Sequence, residues 1–399
     1  MSDKIVNRVL ALVLVVCMFT IGGYTLAANA RRLAYAALVS YVQYTDSDAN
    51  FFEGIRARIN SFTTSFNNAL LGKSLFQKFN AQMQLSIGKQ MLSFGDKTMV
   101  RLKTGQLYDL MDDCDVTSEL NKMEKMHAYL AERDIPFLFV YAHTMLYEDD
   151  LLPFGAEDYN IKVADDIVSG LRARGIDTID SRDVVKEASL PLEKAVFHTD
   201  AHWNIYAAFS VYQKTCAWLR ESAGIPVPEE ASDESRFDIE VHPRRFMGSV
   251  GERVGDGYVT PDDFPIITPK FDTNIKSNLL TADGYVETTG PFRDSVLNMN
   301  ELFEDGNKYA NCYDVYGYHN EVVYYTNDAV PSGRILVIKD SFGTPVSSFL
   351  ALAAHEICAI DLRKGRISAE EFIGSFAPDA VIIVHCQEML RGRNYAFVD

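Results

Sequence analysis

The chain has 399 residues, enough for one large domain or two of ordinary size, and its 47% hydrophobic and 23% charged content is that of a folded rather than a disordered protein. The formal net charge is -17, and no basic patch of the size a nucleic acid requires stands out, so composition excludes a nucleic-acid partner. The six cysteines lack C-x-x-C spacing and any zinc pattern. With Cys17 in an apolar segment, five remain, an odd number that argues against a complete disulfide framework; buried thiols are the preferred reading, with one or two bridges left open.

In chain order, the first element is Val9 to Ala28, twenty residues without a charge, long enough to cross the hydrocarbon core as a helix. Lys4 and Arg8 precede it and Arg31 and Arg32 follow, so the flanking charges nearly balance. A signal anchor, with the bulk of the chain outside the cytoplasm, is the first reading. A cleaved signal peptide is the second, because Ala28-Asn29-Ala30 fits a cleavage site, and it would leave a secreted protein.

Phe52, Ile55, Ile59, Phe62 and Phe66 recur at three- and four-residue spacing and predict an amphipathic helix, packed on the main domain or forming a stalk beside the membrane. Phe94 to Leu107 predicts a short β element with turns at Gly95-Asp96 and Thr104-Gly105. From Ser118 the pattern alternates. A helix is expected over Ser118 to Arg133, a buried strand over Ile135 to Tyr141, a helix over Ala164 to Arg174, a strand over Ile176 to Ile179 and a helix over Ile205 to Arg220. Residues 225–330, rich in proline, glycine and tyrosine, lack this alternation and read as a β- and loop-rich insertion. Alternation then resumes: strand Arg334 to Lys339, helix Thr344 to Ala354, strand Glu356 to Ile360, helix Ser368 to Ser375, strand Ala380 to Val384. The expected fold is a three-layer αβα sandwich with a mostly parallel sheet. Its organisation would be an N-terminal membrane segment (1–32), a helical stalk with a short β element (33–115), a first part of the α/β domain (116–224), the insertion (225–330) and a second part (331–399).

Two segments carry the chemistry. Thr199-Asp200-Ala201-His202-Trp203 offers an acid and a base on one short loop, and Lys339-Asp340-Ser341-Phe342 puts a serine where a strand gives way to a helix. A serine hydroxyl needs an imidazole to take its proton, and the imidazole needs a carboxylate to fix its tautomer. A strand-to-helix turn also exposes a side chain at the carboxyl edge of a parallel sheet and aims backbone N–H groups at one point. The same residues have plainer readings: Ser341 as a helix cap, and Asp200 and His202 as turn residues. A zinc site built from His198, Asp200 and His202 is a further alternative, though the other histidines are scattered.

The order Asp-x-His before Asp-Ser-Phe resembles the SGNH-hydrolase-like acetyltransferases of the alginate O-acetylation type (AlgJ and AlgX), and in particular their relatives named for an Asp-His-His-Trp motif, the DHHW proteins. The likeness covers roughly residues 85 to 390 and takes in Gly248-Ser249-Val250-Gly251, the Tyr313 to Asn320 stretch and Asp361-Leu362-Arg363. Two positions depart from the pattern: Ala201 stands where the motif has its first histidine, and Lys339 where Gly-Asp-Ser has glycine. The resemblance implies Ser341 as nucleophile, His202 as base and Asp200 as orienting acid. Gly317, Asn320, Arg363 and Trp203 are candidates for oxyanion or substrate contacts. It implies no nucleotide or metal cofactor, a cell-surface glycan as acceptor, and a polytopic membrane O-acyltransferase as the partner that supplies the acyl group. The activity expected is extracytoplasmic O-acetyl transfer or acetyl-ester hydrolysis. The non-enzymatic alternative, prompted by Ala201 and Lys339, is an anchored glycan-binding or assembly protein that keeps the fold without turnover.

Overall fold

The computed structural model describes residues 3–45, 55–56, 59–60, 62–63, 65–66, 69–94, 97–144, 151–281, 284–303, 312–317, 322–363 and 368–387. The chain divides into two compact units, Met1–Met83 and Gln84–Asp399.

In the first unit, α1 (Asp3–Thr45) contains the stretch Ala11–Arg31, long and apolar enough to cross a membrane. Inside the helix, Asn29 leaves helical geometry with φ -116° and ψ 15°. The described parts of the next stretch are helical at residues 55–56, 59–60, 62–63, 65–66 and 69, as the spacing of Ile55, Ile59, Phe62 and Phe66 predicts; Phe52 lies outside the described residues. Phe62 and Phe66 stack with ring centroids 6.3 Å apart. Helix α2 (Lys73–Ser86) follows.

The second unit opens with a three-stranded antiparallel sheet: β1 (Met91–Phe94), β2 (Lys97–Arg101) and β3 (Leu107–Asp109). Alternation then proceeds through α3 (Thr117–Ala131), β4 (Phe137–Tyr141), α4 (Asn160–Ala173), β5 (Asp177–Asp180), α5 (Ser181–Glu187) and α6 (Ile205–Glu221). The middle of the chain supplies β6 (Phe237–Phe246), α7 (Ser249–Val254), β7 (Asp262–Pro269), β8 (Ile275–Thr281), β9 (Gly284–Gly290) and β10 (Val322–Asn327). The last part contributes β11 (Arg334–Lys339), α8 (Gly343–Leu350), β12 (Glu356–Ile360), α9 (Ala369–Phe376) and β13 (Ala380–His385).

The main sheet has the order β5-β4-β13-β11-β12-β10-β8-β9. β5, β4, β13, β11 and β12 are parallel, while β10, β8 and β9 add on in antiparallel fashion, so three strands of the 225–330 stretch widen the sheet. β6 and β7 pair as a separate antiparallel ribbon.

The parallel strands alternate between two cores. Leu138, Val140, Ile335, Val337, Ile382 and Val384 face the layer of α6 and α8. Phe137, Phe139, Leu336, Ile338, Val381 and Ile383 face the layer of α3, α4 and α9. Both faces are covered, and this is why these strands read as unbroken apolar runs in the sequence. The result is a three-layer αβα, SGNH-like fold. β12 lies on one side of β11 and β13 on the other, so the chain reverses its direction of winding at the carboxyl end of β11, the place where open α/β sheets leave a crevice.

Candidate active site

Ser341 sits in that crevice, in the turn between β11 and α8. Asp340, wholly buried, makes the turn: its carboxylate accepts the Phe342 N–H at 2.8 Å and the Cys386 N–H at 2.9 Å, the latter just past β13. One side chain thus folds the turn and ties it to the neighbouring strand. Thr344 N–H donates to the Ser341 carbonyl at 3.2 Å, and the buried Lys339 ammonium donates to the Thr344 hydroxyl at 3.1 Å. The lysine that replaces glycine in the usual motif thereby ties the end of β11 to the first turn of α8.

The other half of the site is the loop before α6, closed by a β-bridge between Val196 and Trp203. Asp262, at the start of β7, anchors it: the carboxylate accepts His198 N–H at 2.8 Å, Thr199 N–H at 2.9 Å and the Thr199 hydroxyl at 2.6 Å. Burial pushes the Asp262 carboxyl up to about 6, and the three donors oppose that shift. The Thr199 oxygens in turn accept N–H groups at the start of α7, from Gly248 at 2.9 Å just before it and from Gly251 within it at 2.7 Å. The β6–α7 segment and the loop therefore fit each other closely. A Cβ at position 248 would lie 2.1 Å from the Asp200 Cβ, so only glycine fits there.

This scaffold holds Asp200, which is 3% exposed, with its carboxylate on the His202 ring. The carboxylate accepts the Ser249 N–H at 2.7 Å and the His202 backbone N–H at 3.0 Å, and it forms a close hydrogen bond with His202 Nδ1. Burial alone would raise the Asp200 carboxyl; the His202 imidazole and these N–H donors hold it instead at about 2. With a carboxylate on Nδ1, that nitrogen carries the proton and Nε2 is left to accept. His202 Nε2 lies 2.7 Å from the Ser341 hydroxyl oxygen.

An aromatic frame fixes the imidazole. Tyr313 stacks on His202 with ring centroids 4.1 Å apart, and Phe342 lies 4.5 Å away. Trp203, fully buried, donates its indole N–H to the Phe342 carbonyl and the Tyr313 hydroxyl, both at 3.1 Å. The Tyr313 hydroxyl lies 3.2 Å from the same carbonyl. Trp203 is thus a strut between the histidine loop and the serine turn, with no face on the cleft. The cleft beside Ser341 and His202, about 190 Å³, is also lined by Tyr108, Asn160, Ser249 and Arg253 among others.

The remaining candidates fall elsewhere. The Gly317 N–H is taken by the Asp314 carbonyl at 3.3 Å, and the residue packs against Thr344 and Ser348 of α8, away from the cleft. Its N–H is therefore unavailable to an oxyanion. Asn320 lies outside the described residues. The Arg363 guanidinium is held by the Asp361 carboxylate, with contacts of 2.8 and 2.6 Å, in the loop after β12. His198 turns to Asp262, its Nδ1 3.7 Å from the carboxylate, and does not join Asp200 and His202. Among the described residues, no group of three or more histidines, cysteines or acids is gathered so as to hold a metal. Among the described cysteines, Cys17, Cys216 and Cys358 are free thiols.

Sequence reasoning missed the parts played by Asp262, Tyr313 and Asp340. Asp340 was the most legible, since an acid three residues before a helix start is a turn signal. Asp262 lies more than sixty residues from the loop it holds, and nothing local marks it.

The chain has an SGNH-like fold with a serine, a histidine and an aspartate brought together at the switch point of the sheet. Residues 105–260 match the family model for the SGNH hydrolase-like domain of acetyltransferase AlgX, a match that includes Asp200 and His202 and ends before Ser341. No curated protein matches the chain. Among solved structures, PatB1 of Bacillus cereus is 16% identical, covering 77% of this chain and 99% of its own, with a TM-score of 0.60. The same protein with a sulfonyl adduct gives 15%, 77%, 100% and 0.62. A DHHW family protein from Eubacterium siraeum is 16% identical over 76% of this chain and 95% of its own, with a TM-score of 0.55. At such identities the likeness is one of fold, and the resemblance to AlgX-type and DHHW proteins stands on it together with the family match.

Proposed function

We propose that the chain is a serine-dependent O-acetyltransferase that acts on a cell-surface polysaccharide from the extracytoplasmic side of a membrane. The family match supports O-acetylation of a polysaccharide in general. The observation that carries the mechanism is the 2.7 Å separation of the Ser341 hydroxyl from a His202 ring whose other nitrogen is bound by Asp200. His202 Nε2 takes the Ser341 proton as the oxygen attacks an acetyl carbonyl. The Ser341 N–H is a donor for the developing oxyanion. Collapse expels the donor's leaving group, which takes the proton from His202, and leaves an acetyl-serine. A sugar hydroxyl then gives its proton to His202 and attacks the acetyl carbonyl; the bond to the Ser341 oxygen breaks, that oxygen takes the proton back from His202, and the acetyl group leaves on the sugar. Water in its place gives hydrolysis with the same residues. A polytopic membrane O-acyltransferase is the partner that would present the acetyl group, and the N-terminal apolar helix is a membrane anchor that would keep the site near it.

The test is turnover of a chromogenic acetyl ester by the wild-type chain and by Ser341→Ala. Loss of a triad member is expected to cost at least about 10⁴-fold. Equal rates would remove the reading, and loss of activity to a chelator with Ser341→Ala unaffected would favour metal chemistry at the histidines.

A further inference from the structure

From Gly54 to Gly95 the chain carries Arg56, Arg58, Lys73, Lys78 and Lys89 and no aspartate or glutamate, although the whole protein has a net charge of -17. Within this stretch α2 presents its apolar side outward. Leu75 is 72% exposed, Phe76 57%, Phe79 70% and Met83 50%. Leu75, Phe79 and Met83 are four residues apart and Phe76 lies beside them, so they form one stripe on the helix. On the opposite side Ala81 is 2% exposed. A helix of a water-soluble domain buries its large apolar residues; α2 leaves four of them exposed.

Where α2 starts identifies what covers the stripe. The Leu71 N–H, two residues before the helix, donates to the Thr25 hydroxyl at 3.1 Å. Thr25 lies inside the apolar stretch Ala11–Arg31, six residues from its end. At a helical rise of 1.5 Å per residue this is about 9 Å below the end of the apolar stretch. Interfacial helices rest about 5–10 Å into the boundary between headgroups and acyl chains.

We propose that α2 lies on the surface of the bilayer that α1 enters. Its Leu75–Phe76–Phe79–Met83 stripe sits among the acyl chains, and its basic residues are drawn to anionic headgroups. The occupant of the stripe is lipid. The chain then meets the membrane through a span and an interfacial helix.

The test uses the full chain in lipid nanodiscs containing an anionic lipid, with and without brominated acyl chains that quench indole fluorescence. The two native tryptophans, Trp203 and Trp218, are buried and give a constant background. Phe79→Trp, with Leu75→Trp as a second probe position, is compared with Phe154→Trp, a substitution at a fully exposed site of the other unit. The proposal expects blue-shifted emission from the first two, most of it lost in brominated discs, and unquenched emission from the third. It also expects weaker quenching when Lys73→Glu and Lys78→Glu are combined with Phe79→Trp. Solvent-like, unquenched emission from Phe79→Trp and Leu75→Trp overturns it, whether the stripe is then bare or kept for another protein.

Discussion

A methyl group at position 248 has nowhere to go. It would fall 2.1 Å from the Asp200 Cβ and 2.4 Å from its Oδ2, inside any permitted contact. Gly248→Ala must therefore displace the acid, the loop that carries it, or both. Misplacing a catalytic group by about 1 Å costs on the order of 10²-fold. The expected outcome is a fall in kcat of at least about that size, read as ester turnover, with the Ser341 side of the site untouched. An unchanged kcat would mean that Asp200 does not need its present position. Asp200 also makes stability depend on acid. Its folded pKa of about 2 is depressed below the usual 3.8, so its contribution is complete above about pH 4 and is lost as pH falls through about 2. The shift from 3.8 to about 2 corresponds to roughly 2–3 kcal/mol. Chemical denaturation at a series of pH values between 5 and 2 should show this loss in the wild type, and Asp200→Asn should lack it.

At the scale of elements, the site is two loops held in register by Trp203. Its indole N–H meets the carbonyl of Phe342, next to Ser341, and the hydroxyl of Tyr313, which stacks on His202. Trp203→Phe keeps the apolar bulk and removes the donor. A lost buried hydrogen bond costs about 1–3 kcal/mol, so a lowered Tm is expected. A positioning role further predicts that kcat falls while KM stays near its wild-type value; a purely structural tryptophan would lower Tm alone. The elements themselves were unevenly legible. β11 and β12 lie where the sequence places them, because an apolar run closed by a polar turn needs no distant information. Helix α8 was expected to reach Ala354 and ends at Leu350, where the Asn327 side chain of β10 takes the Ala351 carbonyl at 3.0 Å. Helix α4 begins at Asn160 rather than Ala164. Asp158 sets that start through bonds to the Asn160 side chain, the Met111 N–H and the Tyr108 hydroxyl. In both cases the boundary depends on contacts with residues far away in the chain.

At the scale of the whole molecule, the parallel half of the sheet was readable and the antiparallel half was not. Strands covered on both faces announce themselves as apolar runs, whereas β8, β9 and β10 have mixed faces and owe their pairing to partners. Asp200, His202 and Ser341 were legible as residues, from Asp-x-His and Asp-Ser-Phe, but the geometry that joins them came from segments with no local signal: Asp262 under the loop, Gly248 against Asp200 and Tyr313 on the imidazole. Gly317 and Arg363 were drawn in by their place in a resembling stretch, and the fold gives the N–H of one and the guanidinium of the other to neighbours. The acid-free stretch from Gly54 to Gly95 escaped notice because its five basic residues are too dispersed to form a patch. The measurement that tests the whole most directly is peptide mass spectrometry of the chain after brief incubation with an acetyl-ester donor. The account predicts an acetyl group on the peptide containing Ser341, lost in Ser341→Ala and strongly reduced in His202→Ala. Acetyl transfer that proceeds undiminished in Ser341→Ala, or an acetyl group that settles on a different side chain, would contradict it.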